Sequence, residues 1–462
     1  MSEDNSVAAR SVAEEISIRR ESRFRTMKRF ALILPVFIAI VFLASASQAE
    51  PLTVRDAVKT ALANNPSLAE SRLGVDVADQ GIISSRGAKA PKVSLDMNAM
   101  ARQFPYPFIP AQSSTTPAHF SDTYGSLGVT MTLPVYQGGQ IENGIKLSEV
   151  RKAIQEQSLN MSRNEIIANT VNVYYKIIQL KKLREASQTS VNALEELYKN
   201  MKLLFDVGRV AHVDVLKVEV QLANEKQRLL SIDEGISTLM ATLRYLMGEP
   251  PGGTNRELEL SDDLTLPEIS TDFEQAIVIA HASRPEYLSA MLGIQESELN
   301  VNIAQGKLKP TVNAVTGYSD QFALDLQSSQ GSWFVGIGIS IPVSEKILKS
   351  NLARERLQTQ RTGKRLTAVD NQISLEIQTA IAALKDSRNR VETAKQVINS
   401  ADESFRIEQE KYKSGAGIMS DLLLAQAADI AAAANYTQAL FDYNTAVVAY
   451  TKATGTLEEY QR

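Results

Sequence analysis

Residues 128–135 read GVTMTLPV and residues 336–343 read GIGISIPV, two octets that share their glycine, their apolar alternation and a closing Pro-Val. They stand 208 positions apart. Toward the N-terminus, Ala57-Val58 with Asn65-Pro66 returns as Ala276-Ile277 with Arg284-Pro285, and Ala90-Pro91 as Lys309-Pro310, at an offset of 219. Toward the C-terminus, Phe205-Asp-Val-Gly208 with Asp214-Val-Leu216 returns as Tyr412-Lys-Ser-Gly415 with Asp421-Leu-Leu423, and Leu246-Met-Gly248 as Ala453-Thr-Gly455, at 207. Correspondence at a nearly constant offset marks a tandem repeat. The offset drops once, by eleven residues between Pro91 and Pro134, so one indel accounts for nearly all the difference in length.

Each half follows the same plan. An amphipathic helix is expected over about 53–89 and again over about 272–307, each running up to the proline of the 219 offset, where helix is disfavoured. Period-two alternation follows. Val93, Leu95 and Met97 alternate with Ser94, Asp96 and Asn98; Leu127, Val129 and Met131 with Ser126, Gly128 and Thr130; Trp333, Val335, Ile337 and Ile339 with Phe334, Gly336, Gly338 and Ser340. This predicts strands with one apolar and one small or polar face. The partner strand near 311–319 alternates less cleanly. The stretches 141–204 and 348–411 contain no proline, and each predicts a helix of roughly 95 Å at 1.5 Å per residue. Ile377, Ala380, Leu384, Ser387, Val391, Ala394 and Ile398 keep alternate spacings of three and four, a coiled-coil seam that the first half matches with Val191, Leu194, Tyr198, Met201 and Phe205. Glycine turns end both stretches, and Asp214 and Asp421 stand where the returning helices begin. The expected class is α+β, mostly α: two helical hairpins, each beneath a β-hairpin.

Composition narrows the function. With 49 basic against 53 acidic residues the chain has no broad basic field, which excludes nucleic acid as a partner. Cysteine is absent, which removes disulfides, thiolate metal sites, cysteine nucleophiles and a lipidated N-terminal cysteine together. His119, His212 and His281 are scattered, and Gly138-Gly139 lacks the lysine-serine pair of a phosphate loop. Neither enzymatic activity nor a cofactor or metal is expected. A mean hydropathy of -0.15 reads as soluble, and only residues 30–43, FALILPVFIAIVFL, dispute it. That run is too short to span a bilayer. Preceded by Lys28-Arg29 and followed by small residues to Ala49, it predicts a signal peptide over 1–49, with Met27 the expected start because residues 1–26 make an unusually long charged lead. An uncleaved anchor is the alternative. The expected organisation is then a repeat over 50–248, a proline-rich acidic linker over 249–271 and a second repeat over 272–462.

Strands of about ten residues span a bilayer when tilted. Four cannot close a barrel, and open edges in lipid leave backbone groups unpaired, so several chains would share one: eight strands for a dimer, twelve for a trimer. Trp333 and Tyr124, near strand starts, suit an aromatic belt facing outer-membrane lipid. A soluble β-sandwich is the alternative. The excess in the first half falls in residues 104–122, FPYPFIPAQSSTTPAHFSD, whose four prolines predict a stiff loop. Such a loop narrows the mouth of a barrel, presents a surface epitope or is a neutral insertion.

In its helix, strand, strand, long-helix order repeated twice, in Leu133-Pro134-Val135-Tyr136-Gln137-Gly138-Gly139 and in the two turn motifs at constant offset, the sequence resembles the TolC family of outer-membrane efflux and secretion channels over about residues 53–455. The resemblance implies a homotrimer with a twelve-stranded barrel and a helical tunnel through the periplasm. It implies an exit duct of a tripartite efflux or type I secretion system, docked to a periplasmic adaptor and an inner-membrane pump of RND, ABC or MFS type. It also implies an entrance at the hairpin tips, where Asp421 takes the place of a ring aspartate; the second ring position is Leu424. Tyr412 takes the place of a latch tyrosine with Asp214 as its acidic partner, while the latch arginine is replaced by Gly417. The turns with Gly208, Arg209, Gly415 and Gly417 become adaptor contacts. Two alternatives stay open: Asp214 and Asp421 as helix caps, and the whole chain as a periplasmic coiled-coil adaptor.

Overall fold

The computed structural model describes residues 51–250, 258–324, 329–343 and 345–461, except 112, 114 and 116. The expected export segment, 1–49 with Met27, lies outside the described residues. The chain divides into two units. One joins residues up to 52 with 255–261, and its described part is a parallel bridge between Leu52 and Leu260. The other holds 53–254 and 262–462 and carries all that follows.

In chain order this second unit runs α1 (Val54–Asn64), α2 (Pro66–Gly87), β1 (Lys92–Ile109), β2 (His119–Tyr136), α3 (Gln140–Asp206), α4 (His212–Leu246), α5 (Phe273–Ser283), α6 (Pro285–Gly306), β3 (Thr311–Ala323), β4 (Ser329–Ser340), α7 (Lys346–Lys413) and α8 (Met419–Thr454), then a 3-10 turn at Leu457–Gln461. The single helices expected over 53–89 and 272–307 are each broken in two. Pro66 and Pro285 force the residue before them out of helical geometry, with ψ 123° at Asn65 and 120° at Arg284. Each proline then opens the next helix, where its missing N–H costs nothing. Asn65 caps α2 by accepting the Ser67 N–H at 2.9 Å. Arg284 is buried instead and ion-pairs with Glu286 and Glu376. The glycine after each return helix packs on these breaks. Gly248 has φ +85° and a Cβ there would stand 2.4 Å from the Asn64 carbonyl; Gly455 has φ +78° and lies against Ser283. That close approach is the reason for the repeated glycine at 248 and 455.

The long helices α3 and α7, of 67 and 68 residues, run about 100 Å. α3 packs on α4 and α7 on α8; α1 and α2 lie along α3, α5 and α6 against α7, and α3 touches both α6 and α8, joining the halves. The seam is buried as spaced: Leu384 and Val391 of α7 meet Tyr443 and Val447 of α8, and Ile377 packs with Ala453 of α8 and with Ala276 and Ala280 of α5. Each such aliphatic side chain contributes about 1.5–3 kcal/mol by leaving water. Residues 262–271 do not hang free, since Thr265 accepts from the Asn444 amide at 2.8 Å and Asp263 pairs with Lys182 at 2.7 Å.

The strands form one antiparallel sheet ordered β1-β2-β3-β4. Between Ala101↔Thr123 and Tyr106↔Ser121, β1 carries four residues against one on β2, a bulge that contains Pro105. The stretch 104–122 is thus mostly strand, with only 110–118 between β1 and β2. Prolines fit there because β1 is an edge of the sheet and the bulge needs no ladder N–H.

Candidate functional site

The residues that sequence reading singles out fall in two regions: the tips of the helical hairpins and the faces of the sheet. At the first tip, Gly208 has φ +71°, and the Arg209 N–H bonds the Leu204 carbonyl at 2.8 Å. Gly415 repeats this with φ +76° and the Ala416 N–H on the Lys411 carbonyl at 2.9 Å. Gly417 serves a different need: a Cβ there would stand 3.1 Å from the Tyr412 amide nitrogen, so the turn wraps closely over the end of α7.

The tips share one apolar cluster. Met201 of α3, Val215 and Val218 of α4, and Met419 and Leu422 of α8 are buried together, with Phe405 and Tyr412 of α7 packed against them. Tyr412 and Asp214 are brought close enough that burial first, and the negative charge of Asp214 second, push the phenol above its ordinary value. Yet the Tyr412 hydroxyl donates to Met201 Sδ at 3.1 Å, while Asp214 Oδ1 takes Lys217 Nζ at 3.1 Å. Asp214 and Asp421 each occupy the third position of their helices, and neither α4 nor α8 has a side-chain cap. The capping alternative therefore reduces to a carboxylate in the first turn, favourable to the helix dipole but without a cap hydrogen bond. Asp421 and Leu424, one turn apart, are both exposed, Leu424 by 72%. Beside them Val213, Leu216 and Val220 of α4 line a shallow groove with Leu423 and Leu424, which sequence reading missed because their spacing also fits a buried seam.

In the sheet, register defines the two faces. Val93, Leu95 and Met97 lie level with Met131, Val129 and Leu127, and β3 and β4 continue this face with Tyr318 paired to Trp333, Thr316 to Val335 and Ala314 to Ile337. The apolar face is open: Trp333 is 77% and Ile337 73% exposed. The other face carries Ser94, Asp96, Asn98, Ser126, Gly128, Thr130, Gly336 and Gly338. Tyr124 belongs to this second face, opposite Met100 and Ala323, so it does not share a belt with Trp333. Parity along β2 decides this, and proximity to the strand start does not. Trp333 shares its face with Tyr318, its cross-strand pair, and with Phe322 further along β3; the Tyr318 and Phe322 rings lie over Gly331 and Gly125. On the second face the Phe334 ring lies over Gly317. Strand glycines here are spaces for cross-strand rings.

Among the described residues no group of three or more His, Asp or Glu is arranged to hold a metal ion, and no helix is long and apolar enough to cross a membrane. Comparisons with known proteins agree with this geometry. The sequence profile of the family described as outer membrane efflux proteins matches residues 57–249 and 276–456, once in each half. The outer membrane efflux protein BepC of Brucella suis biovar 1 is 23% identical over 439 residues, covering 94% of this chain and 92% of that protein. The outer membrane protein TolC of Salmonella enteritidis is 21% identical over 449 residues, 92% of this chain and 87% of that one. Among solved structures, the outer membrane protein VceC of Vibrio cholerae superposes with a TM-score of 0.73 at 18% identity, covering 87% of this chain and 96% of that one.

Proposed function

The chain belongs to the outer membrane efflux protein family, and from that premise we propose that it is a passive exit duct, assembled from three copies, through which an adaptor and an inner-membrane pump discharge their cargo. The sheet carries this reading. Its edges, β1 and β4, have no further strand partner among the described residues, and its apolar face is exposed on β1, β2 and β4 and at Tyr318 of β3. Such a sheet is stable in lipid only when closed, and joining β4 of one copy to β1 of the next three times gives twelve strands with no edge. The apolar face then meets lipid, with Trp333 and Tyr318 at one level, and the face of Ser126, Gly128, Thr130 and Gly338 lines water.

The two halves act as tandem repeats, each supplying one β-hairpin and one helical hairpin. The helices stand in the periplasm, the chain being exported by its N-terminal segment and held without a lipid. At the tips, three copies of Asp421 around an axis would draw cations and repel anions, with the apolar Leu424 one turn further in. The turns at Gly208-Arg209 and Gly415–Gly417 face the adaptor. The pump is of RND, ABC or MFS type. Opening requires the hairpins to part at the Met201–Tyr412 contact, which the chain itself does not drive. Outer-membrane fractions treated with a lysine-reactive crosslinker test the assembly: a ladder ending at three copies supports it, and monomer alone, or a ladder ending at two, contradicts it.

A further inference from the structure

The described tip of the first β-hairpin, residues 102–109 with 119–124, bends over the polar face of the sheet. β3 ends at Ala323, level with Tyr124, while β1 and β2 continue past that level to Ile109 and His119. The overhang does not extend freely. Phe108 and Ile109 are 4% and 5% exposed, and they are buried against Ala323 and Tyr124. Tyr106 stacks on Tyr124 with ring centroids 5.8 Å apart, Phe108 stacks on it at 6.1 Å, and the Arg102 guanidinium lies over the Tyr106 ring at 4.3 Å. Tyr124 and Ala323 sit on the face of Ser126 and Gln321, opposite the apolar one. The bulge after Ala101 turns the hairpin toward that face.

From this we propose that the first-hairpin tip is a lid over the outer mouth of the duct, with Tyr106, Phe108 and Arg102 clamped on Tyr124 as the residues that set the size of solute admitted from outside. The inference rests on the duct reading, because only in a closed barrel does the polar face become a lumen. The helices join the sheet at Lys92, Tyr136, Thr311 and Ser340, so the bent tip lies at the end away from the periplasm. The eleven-residue excess of the first half then has a use: it supplies the overhang. Three copies project three aromatic clusters inward. Outgoing cargo must displace the stacked rings, each aromatic pair being worth only about 0.5–1.5 kcal/mol beyond its buried area, so the lid yields to a driven substrate yet bars bulky solutes outside.

The absence of cysteine makes a clean test. A single Ser126→Cys variant places one thiol on the polar face just beneath Tyr124. Intact cells are treated from outside with a small cationic methanethiosulfonate or with a polyethylene-glycol maleimide, alone and combined with Phe108→Ala or with Arg102→Ala; assembly is read by the crosslinked trimer. The lid predicts rapid small-reagent labelling throughout, slow bulky labelling with the native tip, and a severalfold rise in bulky labelling with either substitution. Equal bulky labelling with and without the substitutions would overturn the lid and leave the duct standing. No labelling by the small reagent in assembled trimers would overturn the duct reading beneath it. If Phe108→Ala fails to assemble, Arg102→Ala decides, because Arg102 covers the rings from outside the buried cluster.

Discussion

The hydroxyl of Tyr412, in the last turn of α7, donates to the thioether of Met201 on α3 at 3.1 Å, so the second helical hairpin is tied to the first through a buried sulfur. Asp214 polarises the surroundings of that phenol without accepting from it, because its carboxylate is engaged by Lys217. The two hairpin tips are thus held together chiefly by packing.

Met201→Ala removes a side chain that is 1% exposed at the centre of the tip cluster. The expected cost is about 2–5 kcal/mol, concentrated at the tips. Hydrogen exchange should show faster opening of residues near 198–215 and 405–423, with the sheet unchanged. Tyr412→Phe, which keeps the ring, should do the same more weakly.

Asp421→Asn separates gate from cap. No side-chain cap is lost, so the thermal midpoint should stay near that of the parent protein. Block by multivalent cations added on the entrance side of a reconstituted channel should weaken. Leu424→Asp should strengthen it, by placing a second carboxylate one turn along the same exposed strip.

Gly317→Val tests the sheet. A Cβ at Gly317 would stand 2.8 Å from the Phe334 ring and from the Val129 carbonyl, and at Gly125 2.8 Å from Phe322. Valine at 317 should abolish assembled trimers in the outer membrane, and Gly336→Val, where the nearest atom lies at 3.9 Å, should be tolerated.

Asp429 sets a pH dependence. Burial, and then the charge of Asp402, raise its carboxyl above the ordinary 3.8. The folded state therefore binds this proton more tightly than the unfolded chain does, so the group opposes folding at neutral pH. Stability is gained as pH falls through the raised folded value and levels off below 3.8. Asp429→Asn should raise the thermal midpoint at neutral pH and leave it nearly unchanged in strong acid.

What the amino-acid order makes legible depends on how local the cause is. Alternation in 127–133 and 333–341 and the seam through Ile377, Leu384 and Val391 depend on period alone, and both are borne out. The break at Asn65-Pro66 is local as well, but helical periodicity on both sides hid it. Tyr124 was misplaced because its face follows from register with Met100 and Ala323, which no single strand contains. The strand character of residues 104–109 was masked by Pro105 and Pro107, tolerable only because β1 is an edge with a bulge. At the tips, the turn glycines and first-turn aspartates were readable from the repeat, whereas the Tyr412–Met201 contact joins helices 211 residues apart.

Single-channel recording of the purified protein in planar bilayers decides whether three copies of this chain enclose a water-filled passage. A trimeric duct should give discrete, long-lived conductance steps, cation-selective from the entrance side and less so with Asp421→Asn. Correctly folded protein that inserts into the bilayer and gives no conductance, even with Met201→Ala loosening the entrance, would contradict it.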